Sequence, residues 1–171
     1  MIEPTLLDYL RAAMQLSEQK FCESFPHPVL ISREVYMSDA FREAKTRVAG
    51  SEKATGPLTS PTITDVAPVL AVRPAPGSQG AEVSLGRSED CDLVIPHETV
   101  SGTQAVFVPH DQGHTTLIDM AGTNASRVND EVLEQGRSTP LADGDKLAFG
   151  DCIFVFYTPA GFYAALRPNR P

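Results

Sequence analysis

Leu117-Ile118-Asp119-Met120-Ala121-Gly122-Thr123-Asn124-Ala125-Ser126-Arg127-Val128-Asn129 holds two short apolar runs separated by small and turn-forming residues. That punctuation reads as strand, loop, strand, because Gly, Asn and Thr supply the dihedrals and local hydrogen bonds of turns. The same texture runs outward from Val69 to Tyr157. Val69 to Val72 and Ala81 to Leu85 flank a Pro74-Ala75-Pro76-Gly77-Ser78 turn. Asp92 to Ile95, Ala105 to Val108, Thr115 to Ile118, Val128, Val132-Leu133, Lys146 to Phe149 and Cys152 to Tyr157 follow. Short strands broken by turn chemistry about every 8–12 residues predict a mainly β chain folded as a sandwich. A short helix from about Pro159 to Leu166 closes the pattern.

Upstream the texture changes. Leu6, Leu10, Ala13, Met14 and Phe21 recur at helical spacing between Thr5 and Glu23, which predicts one amphipathic helix with Thr5 as its N-cap. Phe25-Pro26-His27-Pro28 ends it, because proline cannot donate into a helix and restricts the residue before it. Val29-Leu30-Ile31 is open between strand and helix. Ser38 is a candidate cap for a second helix through Ala40, Phe41, Ala44 and Val48. The expected division is a helical N-terminal segment over 1–48, a Gly/Ser/Thr/Pro linker over 49–68, the sandwich over 69–158, and a short helix and tail over 159–171.

Composition narrows the function. The chain has 171 residues, 42% hydrophobic and 21% charged, the profile of a globular protein. Its net charge of −8 argues against nucleic acid or an anionic membrane as a partner, so any bound anion must be captured by a local site. Cys22, Cys91 and Cys152 lie far apart, without metal-ligand spacing, and read as reduced thiols of a cytoplasmic protein. No cofactor or metal is expected.

Four blocks, in order, resemble the forkhead-associated (FHA) family. Leu85-Gly86-Arg87-Ser88, followed by Cys91-Asp92-Leu93-Val94-Ile95, is similar to its Gly-Arg turn and the next strand. Val100-Ser101-Gly102-Thr103-Gln104-Ala105 is similar to its Ser-x-x-His-Ala step. The stretch from Leu117 to Asn129 resembles Asp-Leu-x-Ser-Thr-Asn-Gly-Thr-x-Val-Asn, and Leu141-Ala142-Asp143-Gly144-Asp145-Lys146-Leu147-Ala148-Phe149-Gly150 resembles Leu-x-x-Gly-Asp-x-Ile-x-x-Gly. The resemblance covers about 69–157 and implies an FHA-like (SMAD/FHA) sandwich. It also implies a phosphothreonine-peptide-binding adaptor in Ser/Thr-kinase signalling, of a kind found in bacteria, whose partner is a phosphorylated protein, a kinase or its substrate.

On that resemblance, Arg87 matches the phosphate charge with its forked guanidinium, and Ser101 donates a hydroxyl to another phosphate oxygen. Thr123 adds a further contact, Asn124 grips the peptide backbone, and Gly102 lies in the contact loop. Gly86, Gln104, Gly144 and Asp145 are structural supports, the last pair as a turn closed by a side-chain-to-backbone bond. The sequence departs from the family pattern at three positions. Gln104 stands for histidine, Ala125 for glycine at a cost of about 1 kcal/mol if φ there is positive, and Gly102 carries no side chain. The loop His97-Glu98-Thr99, expected to face the third ligand residue beyond the phosphothreonine, has no cation.

Two rival functions stand beside this one. A degenerate FHA scaffold would bind a partner without phosphate, through the apolar face of the N-terminal helices or the sandwich loops. An enzyme could draw on His97, His110, His114, Ser101 and Asp119, but no nucleophile elbow, phosphate-cradling glycine loop or zinc-helix motif is present, so the chain is read as non-enzymatic.

Overall fold

The computed structural model describes residues 4–32, 68–120 and 123–167. Among these residues three α-helices and eleven strands follow one another as α1 (Leu6–Gln15), α2 (Glu18–Ser24), β1 (Val29–Ser32), β2 (Val69–Ala71), β3 (Val83–Gly86), β4 (Leu93–Val94), β5 (Ala105–Pro109), β6 (Thr115–Asp119), β7 (Arg127–Val128), β8 (Glu131–Val132), β9 (Ser138–Pro140), β10 (Lys146–Phe149), β11 (Cys152–Tyr157) and α3 (Pro159–Leu166). The strands form a six-stranded sheet ordered β2-β1-β11-β10-β7-β8 and a five-stranded sheet ordered β4-β3-β5-β6-β9. Only the β3–β4 pairing is parallel among those recorded. Leu85, Phe107, Leu117, Leu147, Phe149, Phe154 and Phe156, all fully buried, fill the space between the sheets.

The open Val29-Leu30-Ile31 stretch is a strand, and it belongs to the sandwich. It pairs with β2 on one side and β11 on the other. Leu30 points into the inter-sheet core, while Val29 and Ile31 face a second apolar cluster. With both faces covered, the strand shows no polar alternation, which is why its sequence resembles a buried helix equally well. Thus the sandwich draws a strand from the stretch assigned to the N-terminal segment, outside the expected sandwich bounds of 69–158.

The second cluster is a helical layer on the outer face of the six-stranded sheet. Leu6, Tyr9 and Ala13 of α1 and Phe21 of α2 pack with Val29, Ile31, Phe162 and Leu166. Tyr9 and Phe162 meet edge-on, with ring centroids 5.1 Å apart. The apolar face that the scaffold reading reserved for another chain is therefore occupied by α3 and β1 of the same chain.

The expected single helix from Thr5 to Glu23 is two helices. Leu16 turns extended, and the Ser17 hydroxyl starts α2 by accepting the Lys20 N–H, so one cap interrupts a periodic pattern. Thr5 caps α1 as expected, in a reciprocal box with Asp8. The expected helix from Ser38 to Val48 and most of the linker lie outside the described residues. Strand β9 was absent from the sequence reading, because Ser138-Thr139-Pro140 is exposed, polar and ends in proline. Among the described residues no helix is long and apolar enough to cross a membrane.

Candidate functional site

Backbone contact between two loops creates the site. The Arg87 N–H donates to the Ser101 carbonyl at 2.9 Å, and the Ser88 N–H donates to the Gly102 carbonyl at 3.0 Å. Gly86 allows this approach: a Cβ there would run into the Gly102 carbonyl and the Thr103 backbone. The Gly-Arg turn and the Ser-Gly loop are thus clamped side by side, which brings Arg87 and Ser101 together at the level of the main chain.

Gln104, fully buried at the start of β5, ties in the third loop. Its Oε1 accepts the Ser101 N–H at 3.0 Å, while its Nε2 donates to the Asn124 carbonyl at 2.7 Å and the Ser126 hydroxyl at 3.1 Å. One amide therefore serves both ligand loops, using its acceptor toward one and its donors toward the other. Beneath it the Ser126 N–H and hydroxyl both donate to Asp119 Oδ1. Asp119 Oδ2 is buried without a hydrogen-bond partner.

Asn124 is exposed and donates from Nδ2 to the Thr99 carbonyl at 3.1 Å. Thr99 also reaches the β10–β11 turn, where its hydroxyl accepts the Asp151 N–H at 2.9 Å. Gly150, at φ +57°, lies so close to Thr99 that a Cβ would overlap its carbonyl and hydroxyl. Ala125 carries no positive φ, the positive-φ non-glycine residues among those described being Asn129 and Asp130 in the β7–β8 hairpin, so the strain expected from the missing glycine does not arise.

Asp92, unremarked in the sequence reading beyond its motif, anchors the neighbouring turns. It accepts the Ala75 N–H at 2.7 Å, the Ser78 hydroxyl, and the Ser84 N–H and hydroxyl at 2.8 and 2.7 Å. Partial burial pushes its carboxyl upward, but these donors together outweigh burial and hold it well below the usual carboxylate range. Gly144 sits at φ +86°, and Asp145 accepts the Ala142 N–H at 2.8 Å.

Arg87 and Thr123 are exposed and Ser101 is half-buried. Among the described residues the Arg87 guanidinium and the Ser101 and Thr123 hydroxyls have no hydrogen-bond or ion-pair partner. Beside Asn124 a groove of about 300 Å³ is walled by Thr123, Ala125, Arg127, Val132 and the Gly150-Asp151 turn. Arg87 and Ser101 do not line it. Sequence reasoning named Thr99 only as part of the loop facing the third ligand residue and gave no site role to Arg127, Val132 or Asp151, whose side chains no motif position specifies. Of the residues weighed for an enzyme, Asp119 accepts from Ser126, His97 meets Thr99 and His110 meets Thr116.

The family model described as "FHA domain" matches residues 83–150. That part of the chain is an FHA domain. Sequence relatives include a "Probable serine/threonine-protein kinase fhkA" of Dictyostelium discoideum, 32% identical over 75 residues, covering 40% of this chain and 13% of that protein. A "Protein phosphatase 1 regulatory inhibitor subunit PPP1R8 homolog" of Arabidopsis thaliana is 29% identical over 68 residues, covering 40% of this chain and 18% of that protein. The chain thus matches less than a fifth of the length of either relative. Among solved structures, "Mycobacterium tuberculosis EmbR in complex with low affinity phosphopeptide" is 28% identical with a TM-score of 0.42, covering 47% of this chain and 21% of that one. The FHA domain's model match begins at β3 and stops before β11, whereas the sheets also use β1, β2 and β11.

Proposed function

We propose that this chain is a non-enzymatic adaptor whose FHA domain binds phosphothreonine peptides of a Ser/Thr-kinase partner or its substrates in the cytoplasm. One observation carries the reading: Gln104 joins the Ser101 and Asn124 loops through a single side chain, and the backbone clamp sets Arg87 beside Ser101. A dianionic phosphate needs a cation and convergent donors, and this end of the sandwich offers an unpaired guanidinium and free hydroxyls on a chain of net charge −8. Arg87 is assigned the phosphate charge, Ser101 and Thr123 hydrogen bonds to it, and Asn124 the peptide backbone. Gly102, without a side chain, leaves the phosphate approach open.

The test compares a phosphothreonine peptide with its unphosphorylated twin by calorimetry, on the wild type and on Arg87→Ala. The wild type binds only the phosphorylated peptide, and Arg87→Ala loses about 2–5 kcal/mol of that binding. Equal affinity for the two peptides, unchanged by the substitution, would refute the adaptor reading and leave the phosphate-independent scaffold.

A further inference from the structure

Asn124 is the assigned peptide-gripping side chain, yet it sits exposed on a loop, where an amide ordinarily rotates. Its Nδ2 donates to the Thr99 carbonyl. That bond fixes the amide plane, leaving Oδ1 and the second N–H for a ligand backbone. Everything then depends on what holds Thr99.

Thr99 is held from two sides through its hydroxyl. Oγ1 accepts the Asp151 N–H from the β10–β11 turn and lies 2.8 Å from His97 Nδ1. Because His97 Nδ1 receives the Thr99 N–H at 3.3 Å it acts as an acceptor, so the Thr99 hydroxyl, which accepts from Asp151, donates its single proton to it. Gly150 presses on the same residue closely enough to exclude a Cβ. Asp151 and Gly150 also wall the groove beside Asn124. A single hydroxyl therefore links the wall of the groove to the carbonyl that orients Asn124.

We infer that Thr99 is a positioning residue of the phosphopeptide site: its hydroxyl fixes the Asn124 amide and the Gly150-Asp151 wall in their binding geometry. This rests on the proposed phosphopeptide binding and adds a residue to it. Thr99 lies two positions before Ser101, in the loop expected to face the third ligand residue, and the Asn124 amide resonances of the unbound protein separate its positioning role from any contact made there.

Two substitutions differ only in what matters. Thr99→Val keeps the branched shape and removes the hydroxyl, whereas Thr99→Ser keeps the hydroxyl and removes the methyl. For Thr99→Val the phosphothreonine peptide is expected to bind about 3- to 10-fold more weakly, the range implied by freeing one fixed side chain. The Asn124 side-chain amide resonances should collapse toward free-rotor positions in NMR spectra of the unbound protein. Thr99→Ser should restore both readouts. Binding by Thr99→Val within twofold of wild type with unmoved Asn124 resonances would overturn the inference, as would a Thr99→Ser variant as weak as Thr99→Val. A wild type that binds no phosphopeptide sinks the proposed function instead, and the amide resonances of the unbound variants still decide the positioning claim.

Discussion

Replacing Gln104 separates the two properties that its position combines. Gln104→Leu keeps roughly the shape and deletes three hydrogen bonds at once. The losses are unequal. Ser126 keeps its bond to Asp119, and the carbonyl of the exposed Asn124 turns to water, but the part-buried Ser101 N–H is stranded. One stranded buried donor costs about 1–3 kcal/mol and each of the other bonds about 1 kcal/mol or less, so a total of about 2–4 kcal/mol is expected. Against a typical stability of about 5–15 kcal/mol the variant still folds, with a thermal midpoint lowered by roughly 10 °C. Binding falls further than stability alone explains, because Ser101 and Asn124 both lose their anchor. At about 0.5–1.5 kcal/mol for each freed side chain, Kd rises about 5- to 150-fold. Gln104→His completes the test. A neutral imidazole can accept from Ser101 and donate toward Asn124, so binding near pH 8 is restored. Protonation then puts a donor against the Ser101 N–H, so the folded state disfavours the charged ring and lowers its pKa. The unfolded chain takes up the proton first, and stability and affinity fall as pH drops below the ordinary histidine value of about 6.5, more steeply than in the wild type, where His27, pushed down by burial and by Arg73, makes the smaller contribution. Thermal unfolding and calorimetry across pH 5 to 8 measure both. A Gln104→Leu protein with unchanged midpoint and affinity would refute the account of how the loops are held.

Asp92 predicts an acid limit on stability. Its carboxyl is lowered from 3.8 in the fold, so the unfolded chain protonates first; the stabilisation is complete above about pH 4 and drains away as pH falls below it. Asp92→Asn should cost about 2–3 kcal/mol at pH 7, and the gap to wild type should narrow below pH 4 in thermal melts; a gap constant down to pH 2.5 contradicts this. Ligand preference is a further test. The groove beside Asn124 sets the exposed Val132 next to both Arg127 and Asp151, so neither charge sign dominates it. A peptide with Ile three residues beyond the phosphothreonine should outbind one with Asp by about 5-fold, corresponding to about 1 kcal/mol of apolar burial, and an array in which Asp wins decides against it.

What the sequence disclosed and what it hid divide along a physical line. Strands β10 and β11 and helix α3 were legible to the residue, because each is bounded by turn or cap chemistry of its own: Gly150 between the strands, Thr158 and Pro159 before the helix. Strand β1 was ambiguous because a strand buried on both faces has no period to read. The break at Leu16-Ser17 was hidden because serine is also an ordinary exposed helix residue, and only the extended backbone at Leu16 makes it a cap.

The site follows the same division. Arg87, Ser101, Thr123 and Asn124 are named by motifs because the task proposed for them is to present side chains, and a motif records side chains. Their alignment depends on main-chain bonds from Arg87 to Ser101 and from Ser88 to Gly102, which any residues could make and no pattern records, apart from Gly86, where a Cβ is forbidden. Gln104 and Ala125 looked like damage to the pattern for opposite reasons. At Ala125 the pattern implied a backbone requirement that this residue, with no positive φ, does not impose. At Gln104 the requirement is real, namely one acceptor facing Ser101 and a donor facing Asn124. Glutamine supplies that pair of opposed hydrogen-bonding groups without a proton to lose or gain, so the departure preserves the support and removes its sensitivity to acid.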